Sequence, residues 1–525
     1  MPPIYQSTKR KVVFAFDIGT TYSGITYAIL DPGREPEVKP VTKFPGGAAV
    51  GGNTKVPTVI YYDPAGSPCV IGEETQREGI DVLAEESKWI KAEWFKLHLR
   101  PKTQTTATVS DDIPPLPPGK TAVDLFADFL KYMDQSAKTY VGEHHPTLLS
   151  SGQVEYILSH PNAWEGAQQM LMRRAAVQAG LITDTPDDHK RVSFITEGEA
   201  SLACCVDKGL SIKEGEGVTI VDAGGGTLDI STYGRRGNSD EGYEEIAPAQ
   251  SYFQGSIFVT RAANRYLTER FEETQFRDDI PFMTEKFDKA TKLKFRDPTD
   301  PTYMKFGTIR DHDPNLGIRK GQLRLEGYTI GDFFEPSIQC IVDAVVDQQR
   351  IASRETRTVF LVGGFGASDY LYAQLRERLL LHQISVLRPD TYLSKAVPDG
   401  AIAGYLRPVI YSRIAKYTYG IRSNIIYDAT KKGHKDRLSQ RFTLLCGEMR
   451  LPGGFWTILK KNTKVLDTQE FRSNFFLEAS NKAEFAKVRK TKITCYRGSL
   501  LYDIIVSFGT TEFKAQFAWK ENVSL

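Results

Sequence analysis

The stretch VTIVDAGGGTLDIST, residues 218 to 232, constrains this chain more than any other. Val218, Ile220 and Val221 are β-branched and run into glycines, which predicts a buried strand entering a tight turn, with Leu228, Ile230 and Thr232 on the returning strand. Gly224, Gly225 and Gly226 lack a Cβ, so the backbone N–H groups of the turn can close on an anion. Thr227 adds a hydroxyl, and Asp222 and Asp229 can hold a hydrated cation. That combination suits a metal-complexed phosphate chain.

The same device occurs in VVFAFDIGTTYSGITYAI, residues 12 to 29, with Asp17, Gly19, Thr20 and Thr21 leading to a returning strand through Ile25, Tyr27 and Ile29. Two acid-glycine-hydroxyl hairpins predict a duplicated fold with one phosphate site between its halves. A third segment, TVFLVGGFGASDYLYAQLRERLLL at 358 to 381, reads as a strand, then Gly363 and Gly364, then a helix beginning near Ser368. The positive end of that helix favours an anion or a polar nucleoside.

A length of 525 residues predicts three or four domains. The net charge of +2 argues against a nucleic-acid partner or a polybasic membrane surface. Six cysteines without CxxC spacing predict buried free thiols in a reducing compartment and argue against metal ligation. The opening MPPIYQSTKRKVVFAF is interrupted by Asp17, which predicts neither a signal peptide nor membrane insertion, and a cytoplasmic location.

Along the chain, FPGGAAVGGNTKVPT at 44 to 58 reads as a flexible loop leading to strand VIYY, and 81 to 99 has helical spacing, with Lys88, Lys91 and Lys96 on or near that helix. Residues 101 to 120 form an exposed proline- and threonine-rich loop. Its GKT at 119 to 121 is not a phosphate loop, because Pro114 stands at the first glycine position and no strand precedes it. Helices are expected over 121–141 and from about Trp164 to Ala179, and a strand over 154–158. At 193 to 206 a short strand enters a helix, and Glu197 at the junction is either a site acid or a helix-start acid. Helices over 254–271 and 284–295, a polar loop over 297–320 and a long helix from Phe333 follow. From about Leu406 short strands (YTYGI, RFTLLC, FWTIL, KITCY, LLYDIIVSF, EFKAQFAW) predict a small β-rich domain, with the basic stretches 430–437 and 482–492 as solvated loops.

With the three glycine motifs in this order, the chain resembles the actin-like ATPase superfamily, and within it the seventy-kilodalton heat-shock chaperones. DIGTTYSG at 17 to 24 and DAGGGTLDIS at 222 to 231 resemble their two phosphate loops, and LVGGFGAS at 361 to 368 their adenosine loop. The resemblance spans about residues 10 to 405 and implies an α/β fold of two ribonuclease-H-like lobes followed by a reduced β-rich domain. Lobe I is expected over 1–200, lobe II over 201–405, with a final helix at about 396–405 returning to lobe I, and the β-rich substrate or partner domain over 406–525. It implies ATP/ADP and Mg²⁺ as cofactors, and protein clients or co-chaperones as partners. By this resemblance Gly19, Thr20, Thr21 and Tyr22 line one phosphate loop, and Gly224, Gly225, Gly226 and Thr227 the other. Asp17 and Asp222 hold the metal through water. Glu197 helps order the metal's waters, Lys96, with Lys88 as the alternative, and Asp229 orient the attacking water, and Gly363, Gly364, Phe365, Asp288 and Lys292 lie on the adenosine side.

The chain also departs from the family. Phe365 and Ala367 stand where the family has a serine and an adenine-stacking arginine, which leaves Phe365 to carry the base. A late aspartate is matched by Ser394, the arginine partner of Pro161 by Gln169, and the leucine-rich interdomain linker by LRPVIYSRIAKYTYGI. Too few residues follow Leu406 for a helical lid as well as a β-domain. The reading is a divergent, lidless chaperone-like ATPase, weighed against a nucleotide-gated scaffold with negligible hydrolysis and a small-molecule kinase of the same fold.

Overall fold

A computed structural model describes residues 4–47, 54–101, 113–151, 153–210, 212–213, 215–236, 242–389, 395–443, 447–466, 470–478, 499–508 and 513–518. They fall into two compact units, Met1–Tyr411 and Ser412–Leu525.

Two sheets built on one plan make up the first unit. Strand β1 (Lys11–Ile18) pairs antiparallel with β2 (Tyr22–Leu30); after a segment that includes helix α1 (Ala122–His144), strand β3 (Gln153–His160) pairs parallel with β1. Helix α2 (Gly166–Gln178) leads to β4 (Val192–Thr196), parallel to β3, and the strand Glu37–Pro40 borders β2. Helix α3 (Glu197–Asp207) then carries the chain to the second sheet. There β5 (Gly217–Ala223) pairs antiparallel with β6 (Leu228–Arg235), which is bordered by β7 (Tyr243–Tyr252). After helices α4 (Ser256–Phe271) and α5 (Gly327–Ile351), β8 (Thr356–Val362) pairs parallel with β5. Helix α6 (Asp369–Leu380) leads to β9 (Ser385–Leu387), parallel to β8 at one edge of that sheet, and α7 (Ala396–Leu406) follows. Strand for strand, the order Glu37–Pro40, β2, β1, β3, β4 repeats as β7, β6, β5, β8, β9. This is the duplication that the paired hairpin motifs predict.

Helices cover both faces of each sheet, so the central strands are continuously apolar. Val12, Phe14 and Phe16 of β1 pack with Phe126, Phe129 and Met133 of α1, while the smaller Val13 and Ala15 meet Ala401 and Ile402 of α7. Val218 and Ile220 of β5 pack with Leu202 and Cys205 of α3; Val221 and Ala223 share a core with residues of α4 and α5. Helices α3 and α7 form the layer between the sheets, and a Cβ on Gly400 would lie 1.8 Å from the Ala200 carbonyl oxygen. Only glycine permits that approach. Helix α7 packs on the first sheet through Ala401 and Ile402.

Some expectations fail for physical reasons. Residues 81 to 99 are not one helix: Ile80–Glu86 is helical, Ile90–Glu93 pairs with Val59–Tyr62, and Phe95–Leu99 is a 3₁₀ turn. Lys88 and Trp94 adopt positive φ (54° and 56°), which ends each piece. The polar loop at 297–320 contains Thr302–Lys305 and Ile318–Arg319, which pair with Gln322–Leu325 over buried Met304, Ile318 and Leu323. Helix α5 starts at Gly327 and accommodates Pro336 in its interior. Among the described cysteines, Cys204 and Cys205 are buried free thiols and Cys340 is partly buried, but Cys69 is exposed.

The second unit is built from strands. Tyr419–Ile426 pairs with Met449–Leu459, which also pairs with Phe442–Thr443. Ser412 to Ile414 pair with Lys464–Leu466 around Ala415, Leu459 and Val465, and Glu470–Glu478, Ser499–Phe508 and Phe513–Ala518 form an antiparallel meander. The strands at 464–466 and 470–478 are additional to those expected. KITCY, the stretch 482–492 and Ser394 lie outside the described residues.

Candidate functional site

Alternation along a strand decides where the acids go. Asp17 lies on the face of β1 that carries Val13 and Ala15, and Asp222 on the face of β5 that carries Val218 and Ile220. Both faces look onto the α3–α7 layer, so the two acids converge from opposite sheets, each nearly buried. The turns beyond them touch. A Cβ on Gly225 would lie 2.4 Å from Thr21 Oγ1 and one on Gly226 2.3 Å from Thr20 Oγ1, and the Gly224 N–H donates to the Thr227 carbonyl (2.9 Å) to close the turn. Gly19 is as tightly placed, 2.3 Å from the Tyr22 carbonyl oxygen on the same measure. Gly363, at φ +85°, would place a Cβ 2.4 Å from Asp222 Oδ1, while Gly364 beside it faces open space. All three motifs therefore meet around Asp222.

Two lysines and four carboxylates line the floor. Lys55 Nζ lies 2.5 Å from Asp17 Oδ2, and Ser159 Oγ donates to Asp17 Oδ1 at 3.0 Å. Lys96 points inward: its Nζ donates to Glu197 Oε1 at 2.7 Å, both groups are buried, and the ammonium lies 5.6 Å from the centre of the Trp164 ring. Across the β5–β6 register Asp222 directly faces Asp229, an arrangement of like charges that destabilises a strand pair. Ser201 Oγ donates to Asp222 Oδ2 (2.7 Å), and the Asn162 backbone N–H donates to Asp229 Oδ1 (2.5 Å). Asp229 Oδ2 is buried and has no hydrogen-bond partner among the described residues.

These surroundings divide the acids. Burial, then the Glu197 charge, push the Asp222 carboxyl up to about 7 and Asp229 well above the usual carboxylate range. Burial acts in the same direction on Asp17, but the Lys55 and Lys96 ammonium groups outweigh it and hold Asp17 below that range. A cation between the hairpins would relieve the Asp222–Asp229 pair and supply the orphaned Oδ2 with a partner. Among the described residues no three His, Cys, Asp or Glu side chains converge closely enough to hold an ion directly. The facing carboxylates and the orphaned Oδ2 are hard oxygen donors, of the kind that Mg²⁺ takes alongside its own waters.

On the outer side, Asp288 and Lys292 form an ion pair (2.5 Å), and Lys292 also donates to Thr260 Oγ1 (3.0 Å) and the Ser256 carbonyl (3.3 Å), bracing the start of α4 behind the second turn. Tyr22 is half-exposed, and burial together with the Asp288 charge raises its phenol. The Phe365 ring does not serve as a base platform: it is buried in the second core, 5.9 Å from the Phe334 ring. Near Ala367 the positive charge comes from Arg388, which donates to the Ala367 carbonyl (3.3 Å) and Asp369 Oδ1 (3.0 Å). Gln169 bonds His160 (3.0 Å) beside Pro161.

Sequence reasoning missed Lys55 and Asn162, whose roles depend on register and on contact between the lobes. Asn162, fully buried in the turn after β3, donates through Nδ2 to Ser231 Oγ (2.9 Å) and the Gln250 carbonyl (3.2 Å) and accepts from the Gly198 N–H (3.3 Å). It ties the first sheet to the second and to the start of α3. Asn162→Ala is expected to lower stability by about 1–3 kcal/mol, since it strands buried polar partners, as read by chemical denaturation.

No family model matches the chain. Among curated proteins it is 24% identical to heat shock 70 kDa protein 12A of Mus musculus over 506 aligned residues, covering 80% of this chain and 73% of that protein. It is 22% identical to heat shock 70 kDa protein 12B of Homo sapiens over 502 residues, covering 79% and 72%. A more distant similarity, 19% over 438 residues, links it to the chaperone protein dnaK of Guillardia theta, with 78% and 63% covered.

Proposed function

We propose that this chain, a divergent relative of the seventy-kilodalton heat-shock chaperones with the two-lobed actin-like ATPase fold, binds ATP between its glycine hairpins and hydrolyses it slowly. The observation that carries this reading is the direct meeting of Thr20 and Thr21 with Gly225 and Gly226 above a floor of four buried acids and two lysines. Gly19, Thr20, Thr21, Tyr22 and Gly224 to Thr227 cradle the phosphates with backbone N–H and hydroxyl donors, and Gly363 and Gly364 leave room for the nucleoside. Mg²⁺, held through water by Asp17 and Asp222, would supply charge neutralisation at the phosphates. Asp229, with Asn162 fixing one oxygen and leaving the other free, accepts a hydrogen bond from the attacking water and orients it. Lys96, fixed by Glu197, offers positive charge to the terminal phosphate.

The inward, buried Lys96 favours hydrolysis over a purely nucleotide-gated scaffold, in which that lysine serves only to balance Glu197. Binding at a site formed by both sheets gives ATP leverage over how the lobes close. The strand-built second unit is then the surface for protein clients or co-chaperones, in the cytoplasm. No helix among the described residues is long and apolar enough to cross a membrane.

A single turnover of radiolabelled ATP on excess protein with Mg²⁺ tests this, with bound and hydrolysed nucleotide separated. The expected result is tight binding followed by slow release of phosphate. Binding without product would leave the scaffold, and transfer of label to a small alcohol would leave the kinase.

A further inference from the structure

The two hairpins share a plan but not a charge. In the second, the residue opposite the strand-end acid is another acid, Asp229 facing Asp222; in the first, the residue opposite Asp17 is Gly24. Gly24 is in turn the register partner of Lys55 on the bordering strand Lys55–Pro57. A Cβ on Gly24 would lie 3.3 Å from both Cδ and Cε of Lys55, tighter than most such contacts. The bare glycine thus lets the lysine stem cross β2 and set its ammonium against Asp17 Oδ2. The Lys55 side chain retains 19% exposure and that of Asp17 8%. The first hairpin is consequently neutral at its floor, whereas the second carries two facing acids. Lys96 is already paired with Glu197, and its remaining field falls on Asp17 rather than on the two facing acids.

Resting on the nucleotide reading above, we propose that Lys55 is a built-in cation of the phosphate site. Its ammonium, a compact charge with three donors, takes at the Thr20–Thr21 turn part of the neutralising task that a divalent ion performs on the Asp222 side. The triphosphate is therefore held from one side by a fixed lysine and from the other by an exchangeable metal. A share of nucleotide affinity survives metal removal, and that share belongs to Lys55.

Equilibrium titration of ATP against the whole chain, in Mg²⁺ and again in excess EDTA, tests this without relying on turnover. In the wild type, chelation is expected to weaken binding by about tenfold or less; in Lys55→Met the loss on chelation grows by at least about a further tenfold, and Lys55→Arg behaves nearly as wild type. Equal losses in wild type and Lys55→Met would overturn the proposal. Thermal melts establish that the variants fold. Should Lys55→Met not fold, the wild type decides alone, and complete loss of its binding in EDTA overturns the inference. Absence of binding by the wild type even in Mg²⁺ is a different failure, that of the nucleotide reading itself.

Discussion

Lys96→Met is expected to destabilise the protein by about 3–5 kcal/mol, because it leaves Glu197 as an uncompensated buried charge. Glu197 is nearly enclosed, its Oε1 lies 2.7 Å from the lysine ammonium, and its charge already bears on Asp222 and Asp229. Methionine fills much of the lysine volume, so the loss reports charge rather than a cavity. The paired variant Lys96→Met with Glu197→Gln is expected to regain most of the stability, since it removes both charges together. Turnover behaves otherwise: both the single and the paired variant are expected to lose about 100-fold or more in the single-turnover rate, as befits a lost positive donor at the reacting phosphate. Denaturant melts and single turnovers on the same samples check this. A stable Lys96→Met with unchanged rate would remove Lys96 from the site.

Asp222→Asn is expected to do the opposite to stability. In the unligated protein the Asp222 carboxyl is pushed up to about 7 from its ordinary 3.8, chiefly by burial and then by Glu197. Between those values the folded state holds a proton that the unfolded state has released, so stability falls as pH rises through that window. Asparagine keeps the shape and can still accept from Ser201, but it removes the charge. The melting temperature at neutral pH should therefore rise, and the downward slope with pH should become shallower, with Asp229 supplying what remains. Mg²⁺-dependent ATP binding in this variant is expected to weaken by about 100-fold or more, as the facing pair of acids is broken. A melting temperature that drops, or binding that stays intact, would contradict this account of Asp222.

Much of this site is legible from residues alone, because its demands on the backbone are local. An acid two residues before a glycine turn, with a strand on either side, is visible at Asp222, where three glycines follow, and again at Asp17, where Gly19 is followed by two threonines. The two chain segments also run through sheets whose five-strand cores share one order, as their repetition predicts. What escapes is whatever depends on register or on contact between distant segments. Lys55 sits in a glycine-rich stretch that reads as loop, and its role appears only once Gly24 is known to be its cross-strand partner. Asn162 acts on Ser231 and Gln250, distant in sequence and on the other sheet. Phe365 shows the converse error, since an aromatic beside a glycine turn has the same sequence signal whether it faces a ligand or, as found, the Phe334 ring. Helical spacing at 81–99 likewise conceals the turns at Lys88 and Trp94, where backbone conformation outweighs periodicity.

The central claim is that a nucleotide's phosphates lie between the two hairpins, and calorimetric titration of ATP into the wild type and Gly225→Val measures it most directly. A side chain at Gly225 must collide with Thr21, because even its first carbon would lie 2.4 Å from Thr21 Oγ1. The account predicts saturable binding of ATP in Mg²⁺ by the wild type, and loss of that binding by a folded Gly225→Val. A wild type that takes no ATP, or a valine variant that binds it as tightly as the wild type, would contradict it.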